Sequence, residues 1–189
     1  MLDAALTLFG ERGYGATTIE AISSAADVPQ ATVYRLFASK TGILKALLDT
    51  SIAGDDEPVP VAERPHVTSL LATPQPEDLL ARLAAMSVEI NTRTAPIYGV
   101  LVSAAGADPD AAALLDDLTR QRQTGQGNVA AALTRSKSLR PGVRAQDAAD
   151  VIHALASPEL YRLLVIDRNW PDDRYQRWLA DTLAQQLLR

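Results

Sequence analysis

The chain has 189 residues, two histidines, no cysteine and a net charge of −5. Without cysteine there are no disulfides, thiolate metal ligands or cysteine nucleophiles, which fits a reducing compartment; His66 and His153 are too far apart for zinc-type spacing, so neither a metal nor a cofactor is expected. No apolar run reaches the roughly 18 residues of a membrane span, and Met1-Leu2-Asp3 lacks the basic start of a secretion signal, which predicts a soluble, cytoplasmic protein with no membrane partner.

The chain is long enough for a short domain joined to a longer one. Leu2, Ala5, Leu6 and Phe9 recur at helical spacing and predict a first helix that stops near Gly10 and Gly13. Thr17 or Thr18 can cap a short second helix that turns Ile19, Ile22 and Ala26 inward. Asp27 stands where the chain must reverse, as one of the few residues besides glycine that accepts a left-handed backbone at modest cost. Pro29 opens a third helix with Val33, Leu36 and Phe37 inward, and Ser39 caps a fourth carrying Ile43, Leu44, Leu47 and Leu48 to about Ala53.

Residues 54–76 hold five prolines and mixed charge, which predicts an irregular linker between a domain at 1–53 and another at 77–189. Beyond it the spacing predicts helices over 76–93, 95–106, 109–135, 145–156, 158–167 and 171–188, and no segment alternates as a strand. The predicted fold is therefore all-α, with an N-terminal three-helix helix-turn-helix domain and a C-terminal helical domain, to which the resemblance given below assigns ligand binding and dimerisation.

Two short helices joined by a tight turn, with a longer helix following, form the geometry in which the second helix enters the major groove of DNA. The third helix presents Gln30, Thr32, Tyr34 and Arg35 outward; Gln and Arg suit base edges, while Thr and Tyr suit phosphate oxygens or a thymine methyl. Between Asp27 and Asp49 lie Arg35, Lys40 and Lys45 with no acidic residue, so this face can be positive on an acidic protein. Tyr14, Phe9 and Phe37 lie on apolar faces and are expected to pack internally.

Over Leu2 to Asp49 the chain resembles the N-terminal domain of TetR-type repressors. The matching elements are Ala5, Leu8, Phe9, Gly13, Tyr14, Thr17 and Thr18; the turn from Ala21 to Val28; and Thr32 to Leu44, TVYRLFASKTGIL. The resemblance implies a homodimer that represses transcription from double-stranded operator DNA. It places Thr32, Tyr34 and Arg35 on the recognition helix, gives Lys40 a phosphate at the start of the fourth helix, and has Thr18 hold another. Asp27 replaces a common glycine, Pro29 a usual capping serine, and the sequence starts almost at the first helix, which leaves open whether a basic arm precedes Met1.

In the C-terminal half, Val151, Ile152 and Leu155, then Tyr175, Trp178, Leu179 and Leu183, form wide apolar stripes. The stretch from Ser157 to Leu188 resembles the end of a TetR subgroup in which two helices from each subunit form the dimer interface; an internal bundle face is the alternative. Met86, Ile90, Ile97, Tyr98, Leu101 and Val102 are expected to line a cavity for a small apolar or amphipathic effector. His153, within an apolar stripe, is expected to be a hydrogen-bonded core or interface residue. The basic run Arg120, Arg122, Arg135, Lys137, Arg140 and Arg144 is expected to be solvated surface, with an acidic-ligand site as the sharper alternative. No GxSxG, P-loop or HExxH motif is present, so no catalytic residue is expected. A regulator or activator without an effector remains the rival reading.

Overall fold

The computed structural model describes residues 1–54 and 63–189. Its helices are α1 (Leu2–Ala16), α2 (Ile19–Ala25), α3 (Gln30–Phe37), α4 (Lys40–Ala53), α5 (Pro65–Leu71), α6 (Pro76–Ala105), α7 (Pro109–Arg135), α8 (Ala145–Leu155), α9 (Pro158–Tyr161) and α10 (Asp172–Leu187). Among the described residues there is no strand, only an isolated antiparallel bridge between Leu139 and Leu188.

Local chemistry sets the first boundaries. Gly13 takes φ 76° and ψ 164°, breaking α1 where the sequence predicts a stop, whereas Gly10 stays helical. Of the two candidate caps it is Thr18 whose hydroxyl accepts the Ala21 N–H; the Thr17 hydroxyl is buried and donates to the carbonyls of Leu8 and Gly13. Asp27 turns the chain at φ 52°, and Ser39 caps α4 by accepting the Gly42 N–H.

The α3–α4 joint is tighter than the sequence suggests. Ala38 sits at φ 61° and ψ −37°, and the Ser39 N–H closes back on the Phe37 carbonyl at 2.6 Å. A Cβ at Gly42 would meet that same carbonyl oxygen at 1.9 Å, so the joint needs a glycine there.

Two expectations are corrected. The segment 54–76 is not irregular throughout: within its described part, Pro65 starts α5, where proline lacks only an N–H that a first helical turn leaves unbonded. The expected break near residue 94 does not occur either. α6 runs through Pro96, losing one internal hydrogen bond while burying Val88, Asn91 and Thr94 before the proline and Ile97, Tyr98 and Leu101 after it.

The chain forms two compact units, Met1–Asp56 with Arg93–Leu118 and Glu57–Thr92 with Thr119–Arg189, so α6 and α7 each contribute to both. In the first, Phe9, Ile22, Val33, Ile43, Leu44 and Leu48 share a core with Ile97, Leu101, Ala104 and Ala111. There Arg93 lies against the end of α4, donating to the carbonyls of Ser51 and Ile52 at 2.9 and 3.3 Å. In the second, Tyr175, Leu179, Leu183 and Leu187 recur every four residues along α10, each fully buried. The Tyr161 ring meets Tyr175 edge-on at 5.3 Å, and its hydroxyl donates to Asp172. After α9 the chain widens into a π turn, Arg162–Ile166.

Candidate nucleic-acid interface

α3 is eight residues long and buries only Val33. Gln30, Tyr34 and Arg35 are exposed and Thr32 is partly so, and among the described residues their side chains make no hydrogen bond or ion pair. Leu36, expected inward, is 55% exposed and continues this face; Phe37 stays partly buried against the core. The expectation fails because α3 is too short and too near the surface for a wide apolar stripe: Val33 is buried, Phe37 packs partly against the core and Leu36 is left in water. The sequence reading missed this exposed leucine beside Tyr34 and Arg35, an apolar group that a thymine methyl or a sugar would suit.

The frame around α3 is a network centred on Tyr14. The Tyr14 hydroxyl lies 2.8 Å from both Thr41 Oγ1 and Asp108 Oδ2. It has one proton; the carboxylate can only accept, so Tyr14 donates to Asp108 and Thr41 donates to Tyr14. Burial, with a smaller contribution from Asp108, pushes the phenol up to about 12, while the hydrogen bond from Tyr14 is the main cause holding Asp108 below its ordinary value.

Lys40 is placed differently from the free phosphate clamp that the resemblance implies. Its ammonium donates to the carbonyls of Tyr14 at 2.7 Å and Thr17 at 3.1 Å, and lies 4.1 Å from the centre of the Tyr14 ring. Burial lowers its pKa, partly opposed by Asp108. Lys40 thus ties the α1–α2 corner to the start of α4. Thr18 is exposed, its hydroxyl oxygen engaged by the cap, and Lys45 pairs with Asp49 on the α4 surface. Among the described residues Arg35 is therefore the cation of this face without a partner.

The expected ligand and dimer residues scatter. Ile97 and Leu101 are fully buried in the first unit's core, and Val102 is 46% exposed. Tyr98 is buried, whereas Met86 and Ile90 are half-buried in the part of α6 that belongs to the second unit.

Ile152, Tyr175, Leu179 and Leu183 are each 0% exposed within a single chain, so their side chains fill the protomer's own core rather than a surface open to a second copy. Val151, Leu155 and Trp178 keep partial exposure, and the large apolar side chains left most open in this unit are Leu163 and Ile166, at 50% and 54%. Trp178 lies between Tyr175, tilted at 5.8 Å, and Trp170, edge-on at 5.9 Å between ring centroids.

His153 Nδ1 lies 2.7 Å from Gln126 Oε1 and its pKa is lowered, mainly by burial, as suits a hydrogen-bonded internal imidazole. The basic run disperses into separate contacts: Arg122 reaches the His153 carbonyl, Arg140 the carbonyls of Gln185 and Gln186 at the end of α10, and Arg144 pairs with Asp147. Asn91 was not singled out by the sequence. It is 4% exposed, and among the described residues its Nδ2 is a buried side-chain donor without an acceptor.

The model of the tetR family of bacterial regulatory proteins matches residues 1–47. An uncharacterized HTH-type transcriptional regulator of Bacillus subtilis (strain 168), YvkB, is 46% identical over 48 residues, which is 25% of this chain and 25% of that protein. The match thus spans about a quarter of that relative.

Solved structures share the fold over the whole chain. SmeT in complex with triclosan aligns with a TM-score of 0.76 at 20% identity, covering 100% of this chain and 90% of that one. NalD of Pseudomonas aeruginosa, described as the secondary repressor of the MexAB-OprM multidrug efflux pump, aligns at 0.74 and 21%, covering 100% and 94%. A putative transcriptional regulator from Saccharomonospora viridis in complex with choline aligns at 0.73 and 19%, covering 100% and 95%. The first 47 residues thus match the N-terminal model of the tetR family of bacterial regulatory proteins, and the chain as a whole shares the fold of these solved structures.

Proposed function

We propose that the protein is a DNA-binding transcriptional repressor that grips a palindromic operator as a homodimer through α3 and lets go when a small apolar or amphipathic molecule binds its C-terminal helices. The observation that carries the DNA reading is the outer face of α3: Gln30, Thr32, Tyr34, Arg35 and Leu36 stand in or near water with no side-chain partner among the described residues, on a helix fixed at both ends. A two-fold pair of such helices reads half-sites about one helical turn apart, and Leu163 and Ile166 are apolar enough to favour a covered face. Support for an effector comes from the Asn91 donor, which a ligand carbonyl or hydroxyl would satisfy, and from the triclosan and choline complexes of two structural neighbours.

Selection of duplexes from a random pool tests the DNA reading: enrichment of an inverted repeat supports it, and no enrichment sinks it. Light scattering at micromolar concentration tests the dimer, against which a clean 20.2 kDa mass would count. The effector-free reading draws on Ile97 and Leu101 being used up in the first unit's core. A thermal-shift screen separates the two, since a ligand at a hundred times its Kd adds about 2.7 kcal/mol to stability and a protein without a site shows no shift.

A further inference from the structure

The carboxylate of Asp108 lies far along the chain from the residues that face DNA, yet it ends in their frame. Its Oδ1 accepts the N–H groups of Asp110 and Ala111 at 2.9 and 3.3 Å, capping α7. Its Oδ2 accepts from the hydroxyl of Tyr14, 94 residues earlier. Beyond that hydroxyl, Tyr14 touches the α1–α2 corner, one helix before α3, and the first turn of α4 just after it. Its carbonyl and ring hold Lys40, which also holds the Thr17 carbonyl at the α1–α2 corner; its oxygen takes the Thr41 proton in the first turn of α4. α3 itself buries only Val33, so its aim depends on those corners more than on its own packing.

We infer that Asp108 is a positioning residue for DNA binding: through the Tyr14 hydroxyl it fixes the two corners that aim α3, tying the start of α7 to the reading face. The carboxylate needs no contact with DNA for this. The inference rests on α3 being the reading helix, and it makes the α7 cap sensitive to DNA occupancy. If the Tyr14–Asp108 bond favours the DNA-competent arrangement, bound DNA must in turn favour the bond.

The test uses the full chain and a duplex that the wild-type protein selects from a random pool. Tyr14→Phe deletes the hydroxyl and keeps the ring under Lys40. Asp108→Ser keeps an oxygen that can cap α7 but no longer reaches Tyr14, and it serves if Tyr14→Phe fails to fold. Each variant is expected to weaken binding about five-fold or more, the lower end of typical coupling. The double variant should be no weaker than the worse single, because both remove the same bond. Hydrogen exchange supplies the readout a merely structural staple would not move: DNA should slow exchange at the Asp110 and Ala111 amides in the wild type, and Tyr14→Phe should abolish that slowing while protection along α3 remains. Unchanged affinity in both variants, additive losses, or DNA-dependent protection at Asp110 and Ala111 that survives Tyr14→Phe would overturn the assignment. A pool that yields no enriched duplex would count against the DNA reading itself, a separate failure.

Discussion

α3 and α10 use their side chains in opposite ways. α10 buries four large residues in one stripe, Tyr175, Leu179, Leu183 and Leu187, and is held by its own packing. α3 buries Val33 and leaves Gln30, Tyr34, Arg35 and Leu36 exposed, so others must hold it: a glycine-dependent joint at Gly42, a turn at Asp27, and the Lys40–Tyr14–Asp108 network. A helix that must offer its surface to a partner cannot also spend that surface on the core. The stabilising chemistry moves to its ends.

The largest effect should follow from attacking α10. Leu179→Ala is expected to lower stability by about 2 to 5 kcal/mol, as for other fully buried leucines, measured by denaturant unfolding. A loss below about 1 kcal/mol would mean that the stripe is not core after all. Gly42→Ala should come next, at about 1 to 3 kcal/mol, because its methyl would press on the Phe37 carbonyl. Since that joint aims α3, DNA affinity should fall as well; a neutral result would show that the joint opens freely.

The contrast also explains what was legible in the sequence. The caps and turns of the first unit are local chemistry: Thr18 and Ser39 each accept the N–H three residues on, Asp27 takes the positive φ, and Gly13 breaks α1. Each could be read from a few neighbouring residues. The stripe of α10 is equally visible as apolar, but periodicity does not say whether the surface opposite belongs to the same chain or to another; Ile152, Tyr175, Leu179 and Leu183 are covered within the single protomer. Lys40 shows the same limit in polar form. Its charge and position were readable, but the carbonyls of Tyr14 and Thr17 reach it only through the fold. Asp108 and Asn91 carried no sequence signal, because their significance lies in what stands opposite them.

A smaller effect sharpens the comparison within the protomer. Asn91→Leu keeps the branched heavy-atom shape and removes a buried donor that lacks an acceptor among the described residues, so stability should rise by about 1 kcal/mol. The same variant should lose its thermal shift with any ligand that engages that donor; a drop in stability instead would show that the amide is satisfied.

Arg35→Ala provides the most direct test of the central claim that α3 is exposed in order to read DNA. The side chain is exposed and unpaired among the described residues, so unfolding free energy should stay within about 0.5 kcal/mol of wild type. Affinity for the selected duplex should nevertheless fall by about 1 to 3 kcal/mol if Arg35 reads a guanine edge, with sequence preference relaxed at that position, or fall uniformly with a shallower salt dependence if it holds a phosphate. Wild-type affinity and salt dependence in Arg35→Ala, at unchanged stability, would contradict the claim.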